Sequence, residues 1–166
     1  MMTLRDLLIE EMRDTYSSET QILQGLAEMA EAATSQSLKT AFLNHHSETQ
    51  THVERLNQAF EQLRADPDGN TCEATEGLIA EAQEIMEEEL PGELLDVALI
   101  MAAQKVEHYE IASYGSLRAI AKECGESVVA SLLTQTLDEE KATDEKLTRL
   151  AETEINKKAV KASEAA

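Results

Sequence analysis

The chain contains few of the residues that interrupt helices or build sheets. Among its 166 residues there are two prolines, six glycines, no tryptophan and 3% aromatic side chains. Alanine, leucine, glutamate, glutamine and lysine are frequent instead, and the strand-like alternation of apolar and polar residues is missing, which together favour an all-α protein. The length suits one domain with a real core, built mainly from Leu, Ile, Val, Met and Ala.

Cysteine is also scarce, and the arrangement of the two that exist narrows the class of protein. Cys72 and Cys124 are isolated in the sequence, so they form neither a disulfide framework nor a Cys-rich zinc site. A reducing cytoplasm is therefore the expected location. The N-terminus lacks a basic segment followed by an apolar block, so no signal peptide is expected. No apolar run is long enough to span a membrane.

Basic residues are the third shortage. The chain has 14 Lys and Arg against 33 Asp and Glu, which gives a formal net charge of −19. Direct binding to nucleic acid or to an anionic membrane needs clustered positive charge, so neither is an expected partner. An acidic surface keeps a protein in solution and also attracts cations, and the composition alone favours the first of these explanations.

Apolar residues recur at three- and four-residue steps, which predicts four long amphipathic helices. These helices span residues 4–33, 38–65, 93–123 and 127–153. Asp66–Asn70 and Pro91–Gly92 are the strongest breaks, and between them residues 73–89 form a shorter helix. The connection is too long for a tight turn. Residues 1–153 are thus predicted to form a four-helix bundle with a long crossover that carries a short extra helix, and residues 154–166 a flexible tail.

The segment Gln104–Gly115, on the third long helix, carries the strongest functional signal. The apolar stripe of this helix includes Ile100 and Ile111, and between them it passes over Glu107 and close to Glu110. Two carboxylates are therefore predicted to point inward. A buried carboxylate is costly unless a cation, a proton or a hydrogen-bond network compensates it.

The other three long helices place acidic or imidazole groups at matching heights in their own apolar stripes. When residues are counted from the turns, the following groups come level with Glu107 and Glu110: Glu19 on the first helix, Glu48 and His52 on the second, and Glu140 and Asp144 on the fourth. His45 lies one turn further along the second helix. A satisfied core histidine is the simpler interpretation of it, but the sequence leaves open whether His45 rather than His52 is a ligand. A single Glu in such a stripe is usually a boundary residue with its head in water. Four inward acids at one height would cost many kcal/mol without a cation.

Carboxylates with a few imidazoles suit iron or manganese, and four-helix bundles with a long crossover are the architecture that holds di-iron carboxylate sites. In the usual pattern a Glu and a His stand three residues apart on two of the helices. Here Glu48 and His52 are four apart, and Asp144 occupies the place of a His on the fourth helix. The predicted site is therefore rich in oxygen and binds two Fe or Mn ions. Its predicted ligands are Glu19, Glu48, His52, Glu107, Glu110, Glu140 and Asp144.

Four segments resemble the YciF/YciE family of ferritin-like proteins: Tyr16–Gln21, Cys72–Glu81, Gln104–Gly115 and Leu137–Leu147. The resemblance covers roughly residues 4–151, and the segment Gln104–Gly115 is its most specific part. It implies a ferritin-like four-helix bundle, a di-metal centre, a homodimer and an association with bacterial stress responses. It implies the fold more firmly than any reaction.

Three functions are compatible with these observations. The first is a di-iron protein that binds and reduces oxygen or peroxide. The second uses the same ligands to bind or buffer iron without turnover. The third is a metal-free helical interaction protein of the stress response, in which the inward acids are protonated or hydrated. The expected homodimer would use the first helix and the crossover, through residues such as Leu4, Leu7 and Ile79.

Overall fold

The computed structural model describes residues 1–164 and consists of helices joined by short loops. The helices are α1 (Leu4–Ala32), α2 (Gln36–Leu63), α3 (Glu73–Glu87), α4 (Gly92–Glu123), α5 (Ser127–Leu150) and α6 (Asn156–Glu164), with a π-helical turn over Ala151–Ile155. The all-α prediction is confirmed, and each of the four long helices begins and ends within three residues of its predicted limits.

Local chemistry explains where the long helices start and stop. Thr3 and Asp6 form a capping box at the start of α1: the Asp6 amide donates to Thr3 Oγ1 at 3.1 Å, and the Thr3 amide donates to Asp6 Oδ2 at 2.8 Å. Gly125 closes the short turn after α4 with a φ of 76°, a left-handed conformation that glycine adopts without steric cost. The short turns make α1 and α2 antiparallel, and likewise α4 and α5.

α1, α2, α4 and α5 form a four-helix bundle, and α3 lies outside it against α1 and α4. The ends of α2 and α4 pack beside the starts of α1 and α5, because Leu8, Phe60, Leu117 and Val129 share one apolar cluster. The connection from α2 to α4 therefore runs the length of the bundle, and α3 forms its helical part. This is the predicted crossover with a short extra helix.

The bundle core consists of two apolar clusters at opposite ends and a polar layer between them. One cluster surrounds Phe42, Leu99 and Leu147, and the other surrounds Phe60 and Tyr114. Each long helix contributes to both clusters and interrupts its own apolar stripe halfway along. Burial of the two clusters supplies the hydrophobic free energy of folding, at roughly 25 cal/mol per Å² of apolar surface. The polar layer has to be stabilised in another way.

Asp96, near the start of α4, ties that helix to the turn between α1 and α2. Its carboxylate is 3% exposed and accepts hydrogen bonds from the Thr34 amide at 2.8 Å, the Thr34 hydroxyl at 2.7 Å and the Ser35 amide at 2.9 Å. Ser35 makes no side-chain capping bond of its own at the start of α2. Asp96, on the neighbouring helix α4, thus accepts the hydrogen bonds of the amides at this turn.

Residues 154–164 are helical, whereas the sequence predicted a flexible tail from residue 154. The prediction underestimated the apolar residues of this segment: Ile155 is 1% exposed and joins the cluster around Phe42 and Leu99. Ala159 is 6% exposed. The π-helical turn rotates the chain so that these two side chains face the protein. The last two residues of the predicted tail, 165 and 166, lie outside the described residues.

Most of the exposed residues are polar or charged. Within residues 1–164, no helix combines the length and the apolar character that crossing a membrane requires.

Candidate metal centre

The polar layer at mid-height of the bundle is made of six ionisable side chains. Each has a fractional exposure of 3% or less. They are Glu19 on α1, His45 and His52 on α2, Glu107 and Glu110 on α4, and Glu140 on α5. All four bundle helices therefore contribute, as the sequence predicted.

Helical spacing explains why these side chains meet. Residues three or four apart share one face of an α-helix. Glu107 and Glu110 are three apart and continue the stripe between Ala103 and Tyr114, which are themselves buried. On α2, His45 and His52 are two turns apart on the stripe between Phe42 and Leu56. The apolar residues on either side of the layer hold the same faces inward.

The six side chains form two groups with one shared member. His45, Glu107, Glu110 and Glu140 form the first group, and Glu19, His52 and Glu140 form the second; within each, one potential ligand atom per residue lies within 4.8 Å of the others. In the first group His45 Nε2 is 3.1 Å from Glu107 Oε1 and 3.6 Å from Glu140 Oε2. Glu140 belongs to both groups, as a bridging carboxylate does.

The second group is arranged around the Nδ1 atom of His52. This nitrogen is 2.9 Å from Glu140 Oε1 and 3.5 Å from Glu19 Oε1. The two oxygens of Glu140 thus face different histidines: Oε2 faces His45 and Oε1 faces His52. One carboxylate could contact two ions in this geometry.

The donor atoms of the layer are close together but are not hydrogen-bonded to one another. Within residues 1–164, both oxygens of Glu110 and of Glu140, and one oxygen each of Glu19 and Glu107, are buried without a hydrogen-bond partner. The facing nitrogens of His45 and His52 also lack one. Ligand atoms about 2.1 Å from one ion and at right angles to each other are about 3.0 Å apart. The observed separations therefore fit ligands that surround a common cation.

The charge of the layer leads to the same conclusion. Four carboxylates and two neutral imidazoles carry four negative charges, which two divalent cations would balance. Leaving buried polar atoms without partners costs about 1–3 kcal/mol each, and more for charged ones. A cation pair would satisfy both the charge and the unpartnered lone pairs, and oxygen-rich sites with imidazole suit Fe and Mn.

Without a cation, the layer favours bound protons. Burial raises the pKa of Glu110, and the nearby carboxylates of Glu140 and Glu19 raise it further. Burial also raises the pKa of Glu140, to about 8, although contact with His52 opposes the shift. For His52, burial lowers the pKa, but contacts with Glu140 and Glu19 outweigh it and the result is about 10. Protons and metal ions would therefore compete for the same atoms.

Each histidine uses its other ring nitrogen for an outer contact. His52 Nε2 is 2.9 Å from Glu139 Oε2. Arg55 binds both oxygens of Glu139, at 2.8 and 3.2 Å. Partial burial raises the pKa of Glu139, but Arg55 and His52 more than compensate and hold it below its usual value. An ionised Glu139 can only accept a hydrogen bond, so Nε2 keeps its proton in every state. A metal ion would therefore displace the proton on Nδ1 and bind there.

His45 is oriented in the opposite sense. Its Nδ1 atom lies 3.3 Å from the Thr143 hydroxyl and 3.6 Å from Glu48 Oε2, while Nε2 faces the centre. Tyr114, on α4, fixes a third member of the layer: its hydroxyl donates a short hydrogen bond to Glu19 Oε1. Tyr114 is fully buried, and burial together with Glu19 raises the pKa of its hydroxyl, which therefore stays a donor.

The structure brings together five of the seven predicted ligands, Glu19, His52, Glu107, Glu110 and Glu140. It does not bring in Glu48, whose side chain is 42% exposed and lies on the outer side of His45. Nor does it bring in Asp144, which accepts a hydrogen bond from Gln104 and contacts His108, itself exposed. Four residues of helix turn by about 400°, so Asp144 is rotated about 40° from Glu140. The buried neighbour of Glu140 is Thr143 instead.

The sequence favoured a core role for His45 but left open whether His45 rather than His52 is a ligand, and the structure places both in the polar layer. The available signal was its position seven residues before His52, two full turns on the same face. Glu48 and Asp144 were also predicted as ligands because they stand close to the positions of the usual Glu-x-x-His pattern. The residues that stand three away from His52 and Glu140 are Thr49 and Thr143, and both are buried.

Comparison with known proteins agrees with this fold. Residues 3–160 match the family described as domain of unknown function DUF892. Protein YciF of Escherichia coli K12 is 48% identical over 160 residues, 96% of each chain.

Three solved structures are similar. The crystal structure of the E. coli stress protein YciF has a TM-score of 0.91 and 47% identity, over 95% of this chain and 99% of that one. YcfI of Rhodopseudomonas palustris has a TM-score of 0.86 and 44% identity, over 89% and 94%. A Xanthomonas campestris protein, at 23% identity and a TM-score of 0.72 over 90% and 92%, shares the fold. The chain therefore belongs to the DUF892 family, to which its resemblance to YciF had pointed.

Proposed function

We propose that this protein binds two divalent metal ions, iron first of all, in the polar layer and that it reacts there with oxygen or peroxide. The single observation that supports the proposal is the set of buried carboxylate oxygens without hydrogen-bond partners on Glu19, Glu107, Glu110 and Glu140. One ion would be held by His45, Glu107 and Glu110 and the other by Glu19 and His52, with Glu140 between them.

Bound ferrous ions would supply the electrons for reducing a small oxidant. The protein residues have separate tasks. His45 and His52 are each oriented by an outer contact and would anchor one ion each. The unpartnered oxygens of Glu110 and Glu140 would be free to change their mode of binding. Tyr114 holds its proton at Glu19 Oε1 and so limits which Glu19 oxygen is available. The two apolar clusters above and below exclude bulk water.

The test is metal uptake by protein purified without oxygen. Fe(II), Mn(II) and Zn(II) would each be titrated calorimetrically into the metal-depleted chain, followed by an absorption spectrum after iron and then oxygen. We expect two equivalents of Fe(II) in the native chain and none in the double variant Glu107→Gln, Glu140→Gln. A native chain that takes up neither Fe nor Mn at neutral pH would overturn the proposal.

Asp144→Asn is the matched control, because Asp144 lies on the same helix as Glu140 but contacts Gln104 and His108. This variant also decides the original prediction that Asp144 is a ligand. Unchanged uptake would remove it from the ligand set, and a loss of one equivalent would restore it. Glu48→Gln decides the same question for Glu48.

A second candidate function, metal-free interaction with partner proteins, is favoured by the close approach of acids to histidines in the polar layer. His45 and Glu107 approach to 3.1 Å, and the pKa of His45 is raised by Glu107 against the opposing effect of burial. Protonated histidines could thus neutralise part of the layer. Melting temperatures with and without Fe(II) separate the candidates, since an ion that binds only the native state raises the melting temperature.

The 48% identity to YciF, which is named a stress protein in E. coli, supports a role in a bacterial stress response. We further propose that the chain acts in the cytoplasm as a homodimer. Cys72 and Cys124 are both free thiols, which is typical of a reducing compartment. Light scattering on the purified chain tests the dimer, and a shell of many subunits would instead favour iron storage.

A further inference from the structure

A small cavity lies between α1, α3 and α4, beside the candidate metal centre. Its volume of about 20 Å³ exceeds the roughly 10–15 Å³ that one small molecule needs. Glu107, which is 1% exposed, lines it at its buried side. At its outer side lie Glu28 and Gln83, which are joined across α1 and α3 by a hydrogen bond of 3.0 Å. The cavity thus extends from the crossover helix to a predicted ligand.

The walls between these two ends are apolar. They are formed by Ile22, Leu26, Met29, Ile79, Ala82 and Val106. A water molecule needs about two to four polar partners to be stable in a buried space, and apolar cavities stay dry but accept small apolar molecules such as xenon. The chemistry of the walls therefore favours an uncharged apolar gas over water or peroxide.

Gly25 is the residue that leaves this space open. It is buried in the middle of α1, where glycine costs about 1 kcal/mol relative to alanine. A Cβ atom at this position would lie 3.5 Å from Ile79 Cγ1, an ordinary van der Waals contact, so the fold tolerates an alanine. The partly buried Ile79, which the sequence offers as a candidate for the dimer surface, faces Gly25 and the cavity.

We propose that this cavity is a binding and entry site for dioxygen, which it delivers to the metal centre beside Glu107. The claim that the cavity delivers dioxygen rests on the proposed function, whereas the claim that it binds the gas does not. A cleft of 400 Å³ between α1 and α4, lined by residues such as Leu7, Tyr109 and Ile120, is larger but includes none of the six side chains of the polar layer. Size alone would point to that cleft, but contact with Glu107 points to the small cavity.

The reaction that dioxygen would enter needs no further reductant. Ferrous ions held by the six side chains of the polar layer would supply the two electrons by becoming ferric. Dioxygen would take up these electrons and two protons and leave as hydrogen peroxide, with the O–O bond retained. The cavity itself forms and breaks no bond.

Xenon tests the gas site without any metal. ¹²⁹Xe NMR or a crystal pressurised with xenon would be recorded for the native chain, Gly25→Ala, Gly25→Leu and Gly77→Leu. Gly77 is the matched control, because it is exposed on α3 and nothing lies within 4 Å of an added Cβ. We expect xenon between α1, α3 and α4 in the native chain and in Gly77→Leu, weaker binding in Gly25→Ala and none in Gly25→Leu. A native chain without xenon at this position would overturn the gas site.

Iron oxidation kinetics test delivery. The rate of Fe(II) oxidation by dioxygen is expected to fall by about fivefold or more in Gly25→Leu, with Fe(II) affinity unchanged. Hydrogen peroxide, which is polar, should oxidise the iron at the native rate in the same variant. Equal dioxygen rates in all variants would overturn delivery even where xenon binds. A chain that binds no iron would refute the proposed function and with it delivery, while the xenon result would still decide the gas site. Gly25→Ala serves for both assays if Gly25→Leu does not fold.

Discussion

Glu139 and His52 are 2.9 Å apart, and this contact determines which ring nitrogen of His52 faces the candidate metal centre. Glu139 lies on α5 and is half-exposed, and Arg55 on α2 holds it from the other side. The arrangement of carboxylate, histidine and candidate metal position is one that raises ligand basicity and fixes ring orientation in metal sites.

Glu139→Gln is therefore expected to weaken metal binding by about 10–100-fold, because an amide can donate to Nε2 and so permits the wrong tautomer of His52. Calorimetric titration with Fe(II) or Mn(II) measures this loss, and circular dichroism verifies that the helices persist. Asp138→Asn removes the same charge at an exposed residue one position away, and this variant should bind metal like the native chain. Equal losses in both variants would attribute the effect to surface charge instead.

Glu140 belongs to both groups of the polar layer, whereas Glu19 belongs to one. We expect Glu140→Ala to reduce binding at both positions, and Glu19→Ala to leave one ion bound with near-native affinity. Metal content by mass spectrometry under native conditions, at increasing Fe(II), distinguishes the two variants. If Glu140→Ala still held two ions, the bridging role of Glu140 would be wrong.

The metal-free protein is expected to lose stability as the pH rises. The pKa of Glu140 is raised from 4.5 to about 8, so the native state holds a proton that the unfolded chain has released. This stability is present below pH 4.5 and is lost as the pH rises to 8. The pKa of His52 is raised from 6.5 to about 10, so a further part of the stability is lost as the pH rises between these values. Urea unfolding of chelator-treated protein should therefore show a lower midpoint at pH 9 than at pH 5.

Bound metal reverses this dependence, because the ion replaces the protons and binds more tightly as they leave. Glu140→Gln should make the metal-free midpoint less sensitive to pH in the range where Glu140 titrates. A midpoint that rises between pH 5 and pH 9 without metal would show that the layer is not protonated in the native state.

Asp96→Ala is expected to destabilise the fold by about 3 kcal/mol, because it leaves the amides of Thr34 and Ser35 without their acceptor. Urea unfolding of the metal-depleted variant at pH 7 measures the change. Glu93→Ala, an exposed acid in the first turn of the same helix, should cost a few tenths of a kcal/mol. Similar values for both would mean that the turn finds its partners in water.

The fold could be predicted from the sequence because its local signals agree with one another. Local chemistry marks three helix limits: the capping box at Thr3 and Asp6, the break at Pro91 and the left-handed turn at Gly125. The regular apolar stripes then leave one way for four helices to bury their faces. Glu19, Glu107, Glu110 and Glu140 followed from the same stripes, because a helix fixes where each side chain points.

The remaining ligand positions could not be predicted as well, because they depend on rotations of less than half a turn. Glu48 and His45 are three residues apart, and the sequence cannot show which of them the neighbouring helices enclose. Nor can the sequence show which of the adjacent residues Thr143 and Asp144 is enclosed. Their burial depends on how far α2 and α5 are rotated about their axes, and packing against the other helices determines that rotation.

The π-helical turn over Ala151–Ile155 has a consequence for how this part of the chain tolerates length changes. A π turn accommodates one residue more than the α-helical turn it replaces. Deleting one residue there would restore a continuous α-helix but would rotate everything after it by about 100°. Ile155 and Ala159 would then leave the protein interior. The packing of the final helix therefore depends on the extra residue of the π turn more than on the composition of the helix itself.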